Sequence, residues 1–149
     1  VSGFSITLSF SPELGGLVPR LRADMDEVLK HGITVLALRL EELIKEEVPV
    51  RTGDLRDSTT SEVAGLTALV KVRMHYAPHV ALGTGLWGPK KARIKPTTAG
   101  ALFWAGANHP VKSIKGMRPN PFHRRALRRL RPVGTFTKAI EAELTRRGW

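Results

Sequence analysis

Apolar side chains recur at steps of three and four through Leu21, Met25, Leu29, Ile33, Leu36, Leu40 and Leu43, with Glu47 next in the series. That period puts them on one side of an α-helix over residues 17–47. About thirty residues at 1.5 Å each reach roughly 45 Å, against a width of about 30 Å for a compact domain of this length. One end of the helix is therefore expected to project or to lie against another subunit. Gly32 costs about 1 kcal/mol relative to Ala inside a helix and marks a place for a bend. Pro49 ends the run, because it has no N–H and its ring collides with the preceding turn. Thr52-Gly53-Asp54 then reads as a tight corner, with Thr52 available to cap free N–H groups and Gly53 free to reverse the backbone.

Strands lie on either side of this helix. Phe4, Ile6, Leu8 and Phe10 alternate with polar residues, the pattern of a half-buried strand in an N-terminal arm over residues 1–16. Residues 58–63 and 66–74 read as a hairpin turning at Ala64-Gly65, with Ala68, Val70, Val72 and Met74 inward. Residues 77–82 form a short helix, with Pro78 in its first turn and Gly83 at its stop. Residues 83–92 read as a mobile basic loop. Residues 101–104 and 111–114 read as a second hairpin, so the sheet is expected to extend over 58–115. Helices follow over 120–149. One begins near Asn120-Pro121 and turns Ala126, Leu127 and Leu130 inward. A last helix, from about Phe136, carries Phe136, Ile140 and Leu144 on one stripe. The fold expected is a single α+β domain over residues 1–149. In it a long N-terminal amphipathic helix packs on a mainly antiparallel sheet, with short C-terminal helices.

Charge is distributed unevenly. Residues 1–62 carry 7 Lys and Arg against 11 Asp and Glu, whereas residues 63–140 carry 15 Lys and Arg and no acid. A basic region of that kind suits nucleic acid or an acidic protein surface, including that of another copy of the chain. Lys90, Lys91, Arg124, Arg125, Arg128, Arg129 and Arg131 are the candidate basic surface. Catalytic chemistry finds little material. The chain has no cysteine, and residues 63–140 offer no carboxylate for acid–base work or to complete a metal site with His75 and His79. Gly83, Gly85 and Gly88 match G-x-G-x-x-G literally. They lack the preceding strand, the following helix and the later acidic residue that a dinucleotide site needs. No apolar run reaches the ~18 residues that would span a bilayer. No enzyme, cofactor, metal or membrane partner is expected.

Three segments, in order, resemble one family. Pro49, Val50, Thr52, Gly53, Leu55, Arg56 and Ser58 are similar to its P-V-x-T-G-x-L-R-x-S signature. Tyr76, Ala77, Val80, Gly83 and Thr84 are similar to Y-A-x-x-V-E-x-G-T, with Ala81 where an acid is usual. His109-Pro110, Pro119, Pro121, Phe122, Ala126 and Leu127 resemble the closing H-P-G…P-x-P-F-x-x-x-A-L, with Val111 in place of Gly. The family is the tail-completion and tail-component proteins of long-tailed bacteriophages, which act in the neck where head meets tail. The resemblance implies an α+β structural subunit without catalysis. It implies a ring, taken as hexameric, that joins the head connector to the tail tube around the DNA channel, as tail completion, tail terminator or adaptor. It places the chain in the virion after assembly in the host cytoplasm. The expected partners are copies of itself, the connector and tail-tube rings, and DNA in the channel. A basic nucleic-acid-binding module is the alternative reading. Between copies, Asp24, Glu27, Glu41, Glu42 and Glu46 would face the basic region of a neighbour. Leu86, Trp87, Phe103 and Trp104 would supply apolar contact, since exposed ion pairs contribute only about 0–1 kcal/mol each.

Overall fold

The computed structural model describes residues 3–9 and 19–149, with side chains in the long helix described from Asp24 onward. Phe10 and Val18 lie outside the described residues. The chain forms two compact units. One is built from the described residues up to Met74 together with Phe122–Trp149, and the other is His75–Pro121.

The larger unit is α+β. A three-stranded antiparallel sheet is made of β1 (Phe4–Ser9), β2 (Thr59–Ala64) and β3 (Thr67–Val72), in the order β1-β3-β2. Register follows the alternation of side chains. Phe4, Ile6 and Leu8 stand opposite Val72, Val70 and Ala68, and on the other side of β3 the same three face Thr59, Ser61 and Val63. All of these share one face of the sheet. Ala68, Val70, Val72 and Thr59 are buried there.

That face is covered by the long helix α1 (Pro19–Glu47), which contacts all three strands. Leu29, Ile33, Leu36, Leu40 and Leu43 are buried, as the spacing predicted, but so are Val28, Ala37, Ile44 and Val48. The apolar surface is too wide for one neighbour. Its other side is covered by α4 (Phe122–Leu130) and α5 (Pro132–Arg146). The expectation of a projecting end is corrected here: the described N-terminal half of α1 lies against α5. Gly32 makes this possible. A Cβ at Gly32 would stand 2.7 Å from Phe136 Cε2 and 3.2 Å from Ile140 Cγ1. The glycine is a notch for the Phe136 ring.

The far end of α5 is fixed by charge. Glu143, only 5% exposed, accepts hydrogen bonds from Arg146 and Arg147, and Arg147 reaches across to Glu27 at 2.9 Å and Asp24 at 3.9 Å. The α4–α5 junction is tighter than the sequence suggested. Pro132 opens α5 instead of lying in a loop, and Arg131 makes the turn at φ 47°. Phe122 is fully buried at the start of α4, 5.4 Å from the Phe4 ring. Burying a side chain of this kind contributes about 1.5–3 kcal/mol.

Replacing Gly32 with Leu should destabilise the larger unit by about 1–2 kcal/mol in urea unfolding, because overpacking typically costs about 1–3 kcal/mol and relief of the helical glycine returns part of it. Combining it with Phe136→Ala should recover part of the loss. Equal stability of Gly32→Leu and the parent would show that the notch is not needed. A second expectation concerns pH. Arg146 and then Arg147 hold the Glu143 carboxyl down to about 2. A carboxylate lowered in the folded state stabilises above its unfolded value, and the gain disappears as pH falls through the folded value. The stability difference between the parent and Glu143→Gln should therefore be full above pH 4.5 and shrink to nothing near pH 2. A difference that is independent of pH would refute this role.

Candidate functional site

The residues carrying the resemblance fall in the corner after α1 and in α4, where Phe122 and Ala126 are buried, in the larger unit, and in a crossing in the 75–121 unit. In the larger unit they build the corner after α1. Val48 is buried and its N–H bonds to Ile44, so the helix closes before Pro49. Gly53 then adopts φ 91°, and the short helix α2 (Asp54–Asp57) starts. Leu55 is buried, and its carbonyl accepts from Ser58 Oγ and Thr59 Oγ1. Arg56 is exposed and lies beside Asp57. Thr52 differs from expectation. Its hydroxyl donates to Asp54 Oδ2 at 2.6 Å instead of capping a backbone N–H. It braces the corner through the first acidic side chain of α2.

In the 75–121 unit, the other motif residues lock two distant segments together. Helix α3 (Ala77–Leu82) follows Tyr76, whose carbonyl accepts from Val80 N–H. Thr84 bonds twice to Met117. Its N–H donates to the Met117 carbonyl and its hydroxyl accepts from the Met117 N–H, both at 2.9 Å. Leu86 N–H donates to Lys115, and Asn120 N–H to Val80. The backbones approach so closely that a Cβ on Gly85 would stand 2.2 Å from the Lys115 carbonyl oxygen, and one on Gly116 2.3 Å from that of Thr84. Residues 83–92, read as a mobile loop, therefore begin as a hydrogen-bonded crossing followed by a 3-10 turn over Gly85–Trp87. Three glycines at 83, 85 and 116 were the available sequence signal. Their spacing along the chain gave no hint that they meet.

The second hairpin and the extension of the sheet to residue 115 are also corrected. Leu102 pairs with Val111, but as a single antiparallel bridge, and a second bridge joins Ile94 to Ile114. Pro96 and Pro110 flank these pairs, and a proline has no N–H to continue a ladder.

The structure separates the candidate basic residues. Arg125 donates to the Glu47 carboxylate at 2.7 Å and also to the Glu47 backbone carbonyl at 3.1 Å. Arg129 bridges Glu47 and Glu46 at 2.9 and 2.7 Å. Arg125 first and Arg129 second hold the Glu47 carboxyl below its usual range. Arg124, Arg128 and Arg131 are exposed. All five acids assigned to a contact between copies have a cation of their own chain. Asp24 and Glu27 meet Arg147, Glu41 meets Lys45, Glu42 meets Arg39, and Glu46 meets Arg129. Burial pushes the Glu41 carboxyl up, but Lys45 and Ser61 outweigh it and leave it lowered. The four apolar candidates remain available, with Leu86, Trp87, Phe103 and Trp104 each exposed by more than a third.

The 75–121 unit holds Lys90, Lys91, Arg93, Lys95, Lys112, Lys115 and Arg118, and no carboxylate. All seven are exposed. Lys90, Arg93 and Lys95 border a groove of about 580 Å³ whose apolar lining includes Pro78, Leu82 and Ile94. The Arg118 guanidinium lies 5.6 Å from the centre of the Trp87 ring. Among the described residues, no group of three or more His, Asp or Glu is placed to hold a metal ion, and no helix is long and apolar enough to cross a membrane.

Gly53→Val tests the corner in isolation. A Cβ there meets nothing nearer than Asp57 Oδ2 at 3.6 Å. The cost is then backbone strain alone, about 1–2 kcal/mol for a β-branched residue in the left-handed region. An unchanged unfolding midpoint would show that the corner tolerates other backbone conformations.

No family model, curated protein or solved structure matches the chain.

Proposed function

We propose that the protein is a structural subunit of the neck of a long-tailed phage, forming a head-to-tail ring that joins the head connector to the tail tube. The observation that carries this reading is where the resemblance falls. Gly53 makes a corner, Thr84 and Met117 exchange two bonds, and Phe122 fills the core. These are positions where backbone shape and packing are at stake. They do not bring a nucleophile to a base or gather ligands. A ring subunit needs that kind of residue, because a closed ring forms only when each copy holds one shape and presents two complementary surfaces.

The own-chain pairing of the α1 acids alters how such a ring would be held. Charge between copies contributes register, and affinity falls to apolar contact by Leu86, Trp87, Phe103 and Trp104. Electron microscopy and sedimentation of the purified protein should show a ring with a central hole. Trp87→Asp combined with Trp104→Asp should leave folded monomers. A parent protein that is monomeric at every salt and protein concentration would overturn the reading. The basic nucleic-acid-binding module stays as a second reading, favoured by the carboxylate-free 75–121 unit.

A further inference from the structure

We propose that the 75–121 unit is a sequence-independent binding site for the phosphate backbone of nucleic acid. It does not rest on ring formation.

The first ground is charge without a counter-charge. None of the seven cations in this unit forms an ion pair among the described residues, whereas in the larger unit α1 acids and α4 and α5 arginines neutralise one another. Seven exposed like charges repel within 47 residues, and an external polyanion relieves that repulsion. An acidic protein would have to bring one carboxylate for each cation. A nucleic-acid strand carries one phosphate per nucleotide by construction.

The second ground is arrangement. The antiparallel bridge Ile94–Ile114 brings Arg93 and Lys95, which flank Ile94, beside Ser113 and Lys115, which flank Ile114. Arg93 Nε donates to Ser113 Oγ at 2.9 Å across it. Three cations thus stand on a bridged pair instead of on a free loop. Lys115 is fixed further, because its carbonyl accepts from Leu86 in the glycine crossing. Lys90 joins Arg93 and Lys95 along the groove. Trp87, under Arg118, and the exposed Phe103 and Trp104 offer flat faces to sugars and bases.

The α4 arginines, the more obvious basic run in the sequence, are not part of this site. Arg125 and Arg129 are committed to Glu46 and Glu47.

The test is fluorescence anisotropy of the full chain with a labelled 20-base-pair duplex between 50 and 200 mM salt. Each phosphate contact contributes a slope of about 0.9 in log K against log salt. Replacing Arg93, Lys95 and Lys115 together by Ala should lower the slope by about 2–3 and weaken binding at 50 mM at least tenfold. Replacing Arg124, Arg128 and Arg131 by Ala removes the same charge and should leave the slope within about 1 of the parent. Lys90→Gln with Lys95→Gln, milder for folding, should lower the slope by about 2. Absence of binding by the parent at 50 mM overturns the proposal. So does an equal loss in both triple variants, which would reduce the effect to net charge. Displacement of the duplex by polyglutamate at equal charge concentration would also overturn it, in favour of an acidic protein partner. Sedimentation of the same samples separates the two readings. Duplex binding by monomers supports this site while the ring fails, and rings that ignore duplex refute this site alone.

Discussion

The larger unit depends on α1 being buried on two sides at once. A helix that packs only on a sheet needs one apolar stripe, and this helix carries more. Val28, Ala37, Ile44 and Val48 widen the stripe set by Leu29, Ile33, Leu36, Leu40 and Leu43. Such a surface is satisfied only by a second layer, here α4 and α5. Close packing then demands a fit between α1 and α5, and Gly32 provides it by leaving room for Phe136. The helix-propensity penalty of about 1 kcal/mol at a glycine is offset by the burial that the missing side chain permits. Without Phe136 and Ile140 seated there, the N-terminal half of α1 would lack a cover.

Electrostatics repeats the pattern at both ends of the helical layer. Glu46 and Glu47 occupy the last turn of α1, where the helix dipole and the unpaired carbonyls disfavour negative charge. Arg125 and Arg129 correct this directly, and Arg125 also satisfies the carbonyl of Glu47. At the other end, Arg147 follows directly on the last turn of α5, where a cation is favoured, and reaches Glu27 on α1. Acid and base in the larger unit are thereby spent on docking its helices. Of the excess of +11, seven charges lie where no acid exists, in residues 75–121.

Sequence periodicity made much of this legible. The α1 stripe, the alternation in β1 and β3 and the hairpin turn at Gly65 are local signals, and each appears in the structure. Pro49 and Gly53 marked the corner because their effects are also local. What escaped was set by contacts distant in sequence. Gly32 read as a weak point of the helix because Phe136 lies more than a hundred residues away. Arg125 and Arg129 read as free because Glu46 and Glu47 are about eighty residues earlier. The segments 101–104 and 111–114, with a turn near Gly106, suggest a ladder, while Pro96 and Pro110 limit it to single bridges.

The 75–121 unit shows how a segment that buries few apolar side chains, Ala77, Val80 and Ala81 among them, holds its shape. The larger unit relies on side-chain volume, but here backbone pairs with backbone. Thr84 and Met117 exchange two bonds, Leu86 reaches Lys115, and Gly85 and Gly116 let the chains approach within distances that any Cβ would forbid. Rigidity of this kind leaves side chains free for other purposes. Thr84 and Arg93 are the exceptions, the Thr84 hydroxyl accepting one of the bonds and Arg93 Nε donating to Ser113 Oγ, whereas Lys95 and Lys115 stand next to the bridged Ile94 and Ile114. An apolar core would have required these positions to turn inward. With its backbone held by glycine contacts, the unit keeps its seven cations exposed and without an ion pair among the described residues.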